Sequence, residues 1–161
     1  ATSSNKVLIT LHRRENHCIM DKWFANIEKL AQKYKNLEFI FPMHPNPKVQ
    51  EHKHLFKTVK VIEPMEYDNF IDEIRSCKVI ISDSGGIQEE ASFFKKRVIV
   101  CREKTERTEG LGTFSFLCKK PNRLEFLFDD LIDMPNISKD AECPFGDGYA
   151  AEKIYEIIKD L

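Results

Sequence analysis

The segment KVIISDSGGIQEEASFF, residues 78–94, passes from an apolar, β-branched run through two glycines into a stretch of good helix formers. Val79, Ile80 and Ile81 are apolar at consecutive positions, so a strand over Lys78–Ser82 is buried on both faces. A strand of that kind belongs to a parallel sheet covered by helices on either side. The glycines after it mark a sharp exit, and a helix through Phe94 follows.

The same alternation extends in both directions. Lys6–Leu11 (KVLITL), Leu37–Phe41 (LEFIF), Val59–Ile62, Arg97–Cys101 (RVIVC) and Phe114–Cys118 read as further strands, the second ended by Pro42. Between them, Trp23, Ile27, Leu30, Ala31 and Tyr34 recur at helical spacing, which assigns these aromatics to the core. A weaker helix is predicted near 47–56, another around Phe70, Ile71 and Ile74 ending near Cys77, and two more near 121–132 and 148–160. With right-handed crossovers this pattern predicts an α/β fold, a Rossmann-like doubly wound parallel sheet, in one domain spanning 1–161.

Composition narrows the function classes. Hydrophobic residues make up 42% of the 161, including 12 Phe, enough for a core without disulfides or metal. Lys and Arg total 25 against 26 Asp and Glu, so a formal charge of -1 offers no general attraction to nucleic acid or acidic membranes. Any polyanion must be held by a local cluster. Five cysteines without a CxxC pair fit a reduced, cytosol-like compartment, and the chain has no apolar run near the ~18 residues of a membrane span. The opening Ala1-Thr2-Ser3-Ser4-Asn5 reads as a cut through a linker, not a signal peptide.

In doubly wound sheets ligands bind beyond the carboxyl ends of the strands. His12, Arg13, Arg14, His44, Arg102 and Arg107 all fall there, which predicts a locally cationic rim. At Ser84-Gly85-Gly86 a helix start offers unsatisfied N–H groups and a partial positive charge suited to phosphate. The same residues also read as a plain cap with turn glycines, and Ser84 serves either reading. The pattern is neither GxGxxG nor a Walker loop. Glu89 and Glu90 would repel a diphosphate; a carboxylate here that touches a nucleotide should face a ribose diol, whose hydroxyls donate to it. His52 and His54 form an HxH pair with no third metal ligand in evidence.

Taken together, LITLHRREN (8–16), FPMHPNP (41–47), SDSGGIQEEA (82–91), REKTER (102–107) and PFGDGYA (144–150) resemble the non-hydrolysing UDP-N-acetylglucosamine 2-epimerases, in order and spacing over essentially the whole chain. The resemblance implies the second of two Rossmann-like domains that face each other across a cleft, as in GT-B glycosyltransferases. It implies that Ser84, Gly85 and Gly86 hold the diphosphate of UDP and Glu90 the ribose. It places His12, as the catalytic group of this half, and Arg107 beside the departing UDP. It aligns Phe70 with a nucleotide contact, and Arg13 and His44 with a second, regulatory UDP-N-acetylglucosamine site of bacterial members.

The chemistry so implied is epimerisation at C2 of the sugar, by elimination of UDP to a 2-acetamidoglucal and its re-addition, with no metal, nicotinamide or other cofactor. Its acid/base carboxylates lie on the first domain, so this half is expected to bind UDP without turning substrate over. Homodimers are common in the family. Leu11 where the family has Gly, Thr108 where it has Pro, and a shorter loop after HRREN depart from the pattern. Epimerases of other UDP-2-acetamido sugars, a hydrolysing epimerase, a glycosyltransferase domain and a non-catalytic UDP-sugar sensor are the competing readings.

Overall fold

The computed structural model describes residues 5–43, 45–102 and 114–134. Among these, six strands form one sheet: β1 (Lys6–Thr10), β2 (Glu38–Pro42), β3 (Lys60–Ile62), β4 (Val79–Ser82), β5 (Arg97–Val100) and β6 (Ser115–Leu117). Every neighbouring pair is parallel, in the order β3-β2-β1-β4-β5-β6. The helices are α1 (Met20–Lys33), α2 (Pro47–Gln50), α3 (Tyr67–Ser76), α4 (Gly85–Phe93) and α5 (Leu124–Ile132). The chain builds outward from β1 to β3, then returns to the centre at β4 and builds the other way. This is the doubly wound order, with its switch point between β1 and β4.

Alternation along each strand divides the core in two. Val7 and Ile9 of β1, with Phe39, Phe41, Val79, Ile81 and Ile99, pack under Trp23, Phe24 and Ile27 of α1 and Phe128 of α5. Leu8, Ile80, Val98 and Val100 face the other way, against Ile74 of α3 and Ile87 and Ala91 of α4. Both faces of the central strands are therefore dry, as their unbroken apolar runs require.

Several boundaries differ from the sequence reading. The segment 47–56 is not one helix but α2 followed by a separate 3-10 turn, Lys53–Leu55. Only Val49 is buried within α2, and nothing in the turn is, so no apolar stripe holds a longer helix. Pro42 does not end β2; it pairs with Ile62. It is tolerated because pairing with β1 already stops at Ile40, leaving no ladder that needs its missing N–H. A 3-10 helix, Arg14–Ile19, runs directly into α1, and another, Pro121–Arg123, opens α5. The helix expected at 148–160 lies outside the described residues.

Two fixtures hold the helices to the sheet. Glu28 of α1 is buried, and its Oε1 accepts from the amides of Lys57, Thr58 and Val59 at 3.0, 2.8 and 3.2 Å, tying α1 to the approach to β3. Burial raises its pKa, but the amides of Thr58 and Lys57 and the side chain of Gln32 outweigh that and lower it to about 2. At the far end of α4, Lys96 N donates to Ala91 O and Lys95 N to Ser92 O, with Lys95 at φ 58. This is a Schellman close, with lysine at a position that favours glycine. Among the described residues no helix is long and apolar enough to cross a membrane.

Candidate functional site

The switch point opens into a cleft of about 270 Å³ lined by Thr10, His12, Pro42, Pro64, Met65, Phe70, Ser84 and Ile87. These residues come from the carboxyl ends of β1, β2, β3 and β4 and from α3 and α4, although they span 77 sequence positions from Thr10 to Ile87. The lining is polarised. Pro64, Met65, Phe70, Pro42 and Ile87 supply apolar surface, whereas Thr10, His12 and Ser84 supply donors and acceptors.

Ser84 is the N-cap of α4, at φ −91 and ψ 129, and its Oγ accepts weakly from Ile87 N at 3.5 Å. Its own amide donates to Ser82 Oγ at 3.0 Å, and Thr10 Oγ1 donates to the same oxygen at 2.7 Å. The turn is thereby bonded to both central strands. Gly86 is exposed, outside the left-handed region, and among the described residues a Cβ built there would meet only Ser84 Oγ, at 3.9 Å. Neither backbone strain nor crowding within the fold requires glycine at 86. Its absent side chain leaves the helix start open to close approach from outside.

The loop after β1 is clasped by Asp83, a fully buried carboxylate at the end of β4. Its oxygens accept from His12 N at 3.2 and 3.3 Å, Arg13 N at 2.9 Å and Asn16 Nδ2 at 3.0 Å. Asn16 is also buried; it donates to Cys101 O at 2.9 Å and accepts from Trp23 Nε1 at 3.2 Å. On the outer side, the His17 ring meets His12 O through Nε2 at 3.1 Å. A carbonyl oxygen only accepts, so that contact places the ring proton on Nε2. The His12 peptide is held at both of its polar groups while its side chain borders the cleft.

The cationic rim is only partly realised. Arg13 Nε donates to Glu15 Oε1 at 2.9 Å, and the largely buried Arg102 brings its Nε to 2.7 Å from the same oxygen, without hydrogen-bond alignment. Glu15 therefore counters both charges, and neither arginine lines the cleft. The sequence assigns Arg102 to the cationic rim; the structure finds it largely buried, its charge countered by Glu15. His44 and Arg107 lie outside the described residues. Among the described residues no three His, Cys, Asp or Glu gather into a metal-holding group.

Glu90 lies one helical turn beyond Gly86, on the same side of α4. It is 9% exposed, and among the described residues its buried Oε2 has no hydrogen-bond partner. Burial, reinforced by the neighbouring Glu89, pushes its pKa up to about 7. A carboxylate this poorly satisfied is costly unless something donates to it.

Of the residues singled out from sequence, the cleft unites His12, Phe70 and Ser84, with Gly85 and Gly86 at the adjoining helix start and Glu90 one turn in. Thr10, Pro42, Pro64, Met65 and Ile87 were not anticipated, because nothing local distinguishes them from ordinary strand-end and loop residues. Asp83 was legible only as part of the motif, its partners being 67 to 71 positions away.

Comparison with known proteins bears on the family and the fold. The family model described as UDP-N-acetylglucosamine 2-epimerase matches residues 1–159. The UDP-N-acetylglucosamine 2-epimerase of Neisseria meningitidis is 37% identical over 97% of this chain and 45% of its own length. In the S. aureus MnaA–UDP co-structure the likeness has a TM-score of 0.81 at 35% identity, over 98% of this chain and 45% of that one. The N. meningitidis UDP-GlcNAc 2-epimerase bound to UDP-GlcNAc gives 0.74 at 36% identity, with the same coverage. The chain thus spans a little under half the length of the curated relatives it matches. Matched over nearly every residue, it belongs to the UDP-N-acetylglucosamine 2-epimerase family.

Proposed function

We propose that this chain is the nucleotide-binding half of an enzyme that interconverts UDP-N-acetylglucosamine and UDP-N-acetylmannosamine by eliminating and re-adding UDP. Residues 1–161 form one UDP-binding domain, the C-terminal half of a two-domain enzyme. Its N-terminal partner carries the acid/base carboxylates, and this half alone does not turn substrate over. The observation that carries the reading is the polarised cleft at the switch point, ending at an α4 N-terminus whose second residue is an exposed glycine.

Each part of UDP has a counterpart. The uracil lies along the apolar wall of Phe70, Met65 and Pro64. The diphosphate meets the amides opening α4, the Ser84 hydroxyl and His12, with Arg107 completing the cradle. Glu90 accepts from the ribose hydroxyls, which supply donors its Oε2 lacks among the described residues. In the elimination step, negative charge grows on the departing diphosphate, where helix amides and the His12 ring stabilise it. At about 270 Å³ the cleft falls just below the ~300–1,000 Å³ usual for small-molecule sites, as one wall of a two-domain site would. The likeness to structures that hold UDP or UDP-GlcNAc supports the same reading.

Arg13 and His44 belong, on this proposal, to a regulatory UDP-N-acetylglucosamine site, and the whole enzyme is a cytoplasmic homodimer. Other UDP-2-acetamido sugars remain the second reading for substrate, since only the UDP end meets these residues. Calorimetric titration with UDP, UDP-N-acetylglucosamine and ADP, on wild type and Glu90→Ala, tests the assignment. Selectivity for uridine ligands and weakened binding in the variant are expected. Equal affinity for ADP would sink it.

A further inference from the structure

We propose that Asp83 and His17 are positioning residues that set the His12 side chain against the diphosphate end of the cleft, an inference that rests on the UDP reading above. The clasp has a specific shape. Asp83 accepts from two successive amides, His12 N and Arg13 N, and from the Asn16 amide group, while His17 Nε2 donates to the carbonyl of His12. Both backbone polar groups of His12 thus have named partners, which restrains rotation of its peptide units about the loop.

The direction of each bond matters. Asp83 is surrounded by donors only, so an asparagine of the same shape must turn an NH₂ toward at least one of them. Asp83→Asn therefore opens the loop without removing volume. An asparagine oxygen in the place of Oδ2 keeps Arg13 N and Asn16 Nδ2, but its NH₂ in the place of Oδ1 then faces His12 N, which lies 3.3 Å from that atom, and the two donors push the His12 backbone away from the clasp. On the opposite side, His17 is half-buried and contributes to no core cluster. Its removal releases the His12 carbonyl while leaving the packing of α1 intact.

Asn16 extends the clasp inward. Its amide joins Asp83 to the carbonyl of Cys101 at the end of β5, and its oxygen receives the Trp23 indole from α1. The position of His12 is in this way referred to three elements at once, β4, β5 and α1. The Ser84 turn has its own tie through Ser82 and Thr10. The two ties use different side chains, so a substitution at Asp83 or His17 leaves the Ser82 Oγ contacts with Thr10 and Ser84 in place.

The test compares UDP with uridine on this chain. UDP affinity is measured by calorimetry, and uridine affinity by NMR shifts of the Met65 methyl group. Wild type, Asp83→Asn, His17→Ala and His17→Gln are compared, with Trp23 fluorescence and thermal melting as controls on the fold. Asp83→Asn should weaken UDP about tenfold or more and leave uridine unchanged, because only the diphosphate end is disturbed. His17→Ala should weaken UDP severalfold, and His17→Gln, which keeps a donor, should restore it. If both ligands weaken in parallel, or UDP does not weaken, the positioning role is overturned. Should Asp83→Asn fail to fold, the His17 pair decides alone. Absence of UDP binding by wild type would instead sink the nucleotide reading, and this inference with it.

Discussion

Gly86→Ala separates a ligand-binding glycine from a structural one. At the second residue of α4, replacing glycine by alanine removes backbone freedom from the unfolded chain and should stabilise the fold by roughly 0.5–1 kcal/mol. Among the described residues no steric cost offsets this, because the new Cβ would meet only Ser84 Oγ at 3.9 Å, an ordinary contact. On a helix the Cβ leans toward the N-terminus, so the methyl group stands over the amides that open α4. A phosphate oxygen bonded there sits about 2.9 Å from nitrogen, whereas a methyl carbon demands roughly 3.5–4 Å from any neighbour. Losing one charge-assisted bond costs about 1.5–3 kcal/mol, or roughly 10- to 150-fold in affinity. Urea denaturation and UDP calorimetry on the same preparation read the two effects. The expected variant is more stable than wild type and binds UDP poorly. Undiminished UDP affinity would refute the placement of the diphosphate, and a loss of stability would refute the claim that the fold leaves position 86 open.

Three other outcomes follow from the same geometry. Glu90 has a folded pKa near 7 against an ordinary 4.5, so its contribution to stability is complete below pH 4.5 and is lost as pH rises through 7. Glu90→Gln should therefore stabilise the unliganded chain at pH 8, by up to about 3 kcal/mol, and flatten its melting temperature across pH 5–8. Glu28 has the opposite sign, with a folded pKa near 2, so its stabilisation is present above 4.5 and disappears as pH falls through 2. Glu28→Ala should cost about 3 kcal/mol in neutral urea titrations and lose its penalty in strong acid. Lys95→Gly, at φ 58, should gain about 1 kcal/mol by relieving the left-handed backbone, less whatever the lysine contributes over the Phe114 ring 5.7 Å away; thermal melting reads the difference.

The fold was legible because its signals are local. Val79–Ile81 and Val98–Val100 announce buried strands by composition alone, and the spacing of Trp23, Ile27 and Leu30 announces α1. Where the reading slipped, a tertiary condition had intervened. Pro42 stays in its strand because β1 no longer pairs beside it, and 47–56 breaks because only Val49 finds a core to enter.

Sequence by itself determined the parallel sheet, the strand-end placement of His12 and Ser84, and the helix start at Gly85, since each depends on neighbours within a few positions. Tertiary structure decided which of those residues share a cleft and in what state. Glu15 counters Arg13 and Arg102, Asp83 holds the His12 loop, Met65 and Pro64 join Phe70, and the buried Oε2 of Glu90 finds no donor among the described residues. Such contacts join residues as far apart as Asn16 and Cys101, 85 positions along the chain. They depend on strand order and register, which set distances and dielectric, and no local pattern encodes either.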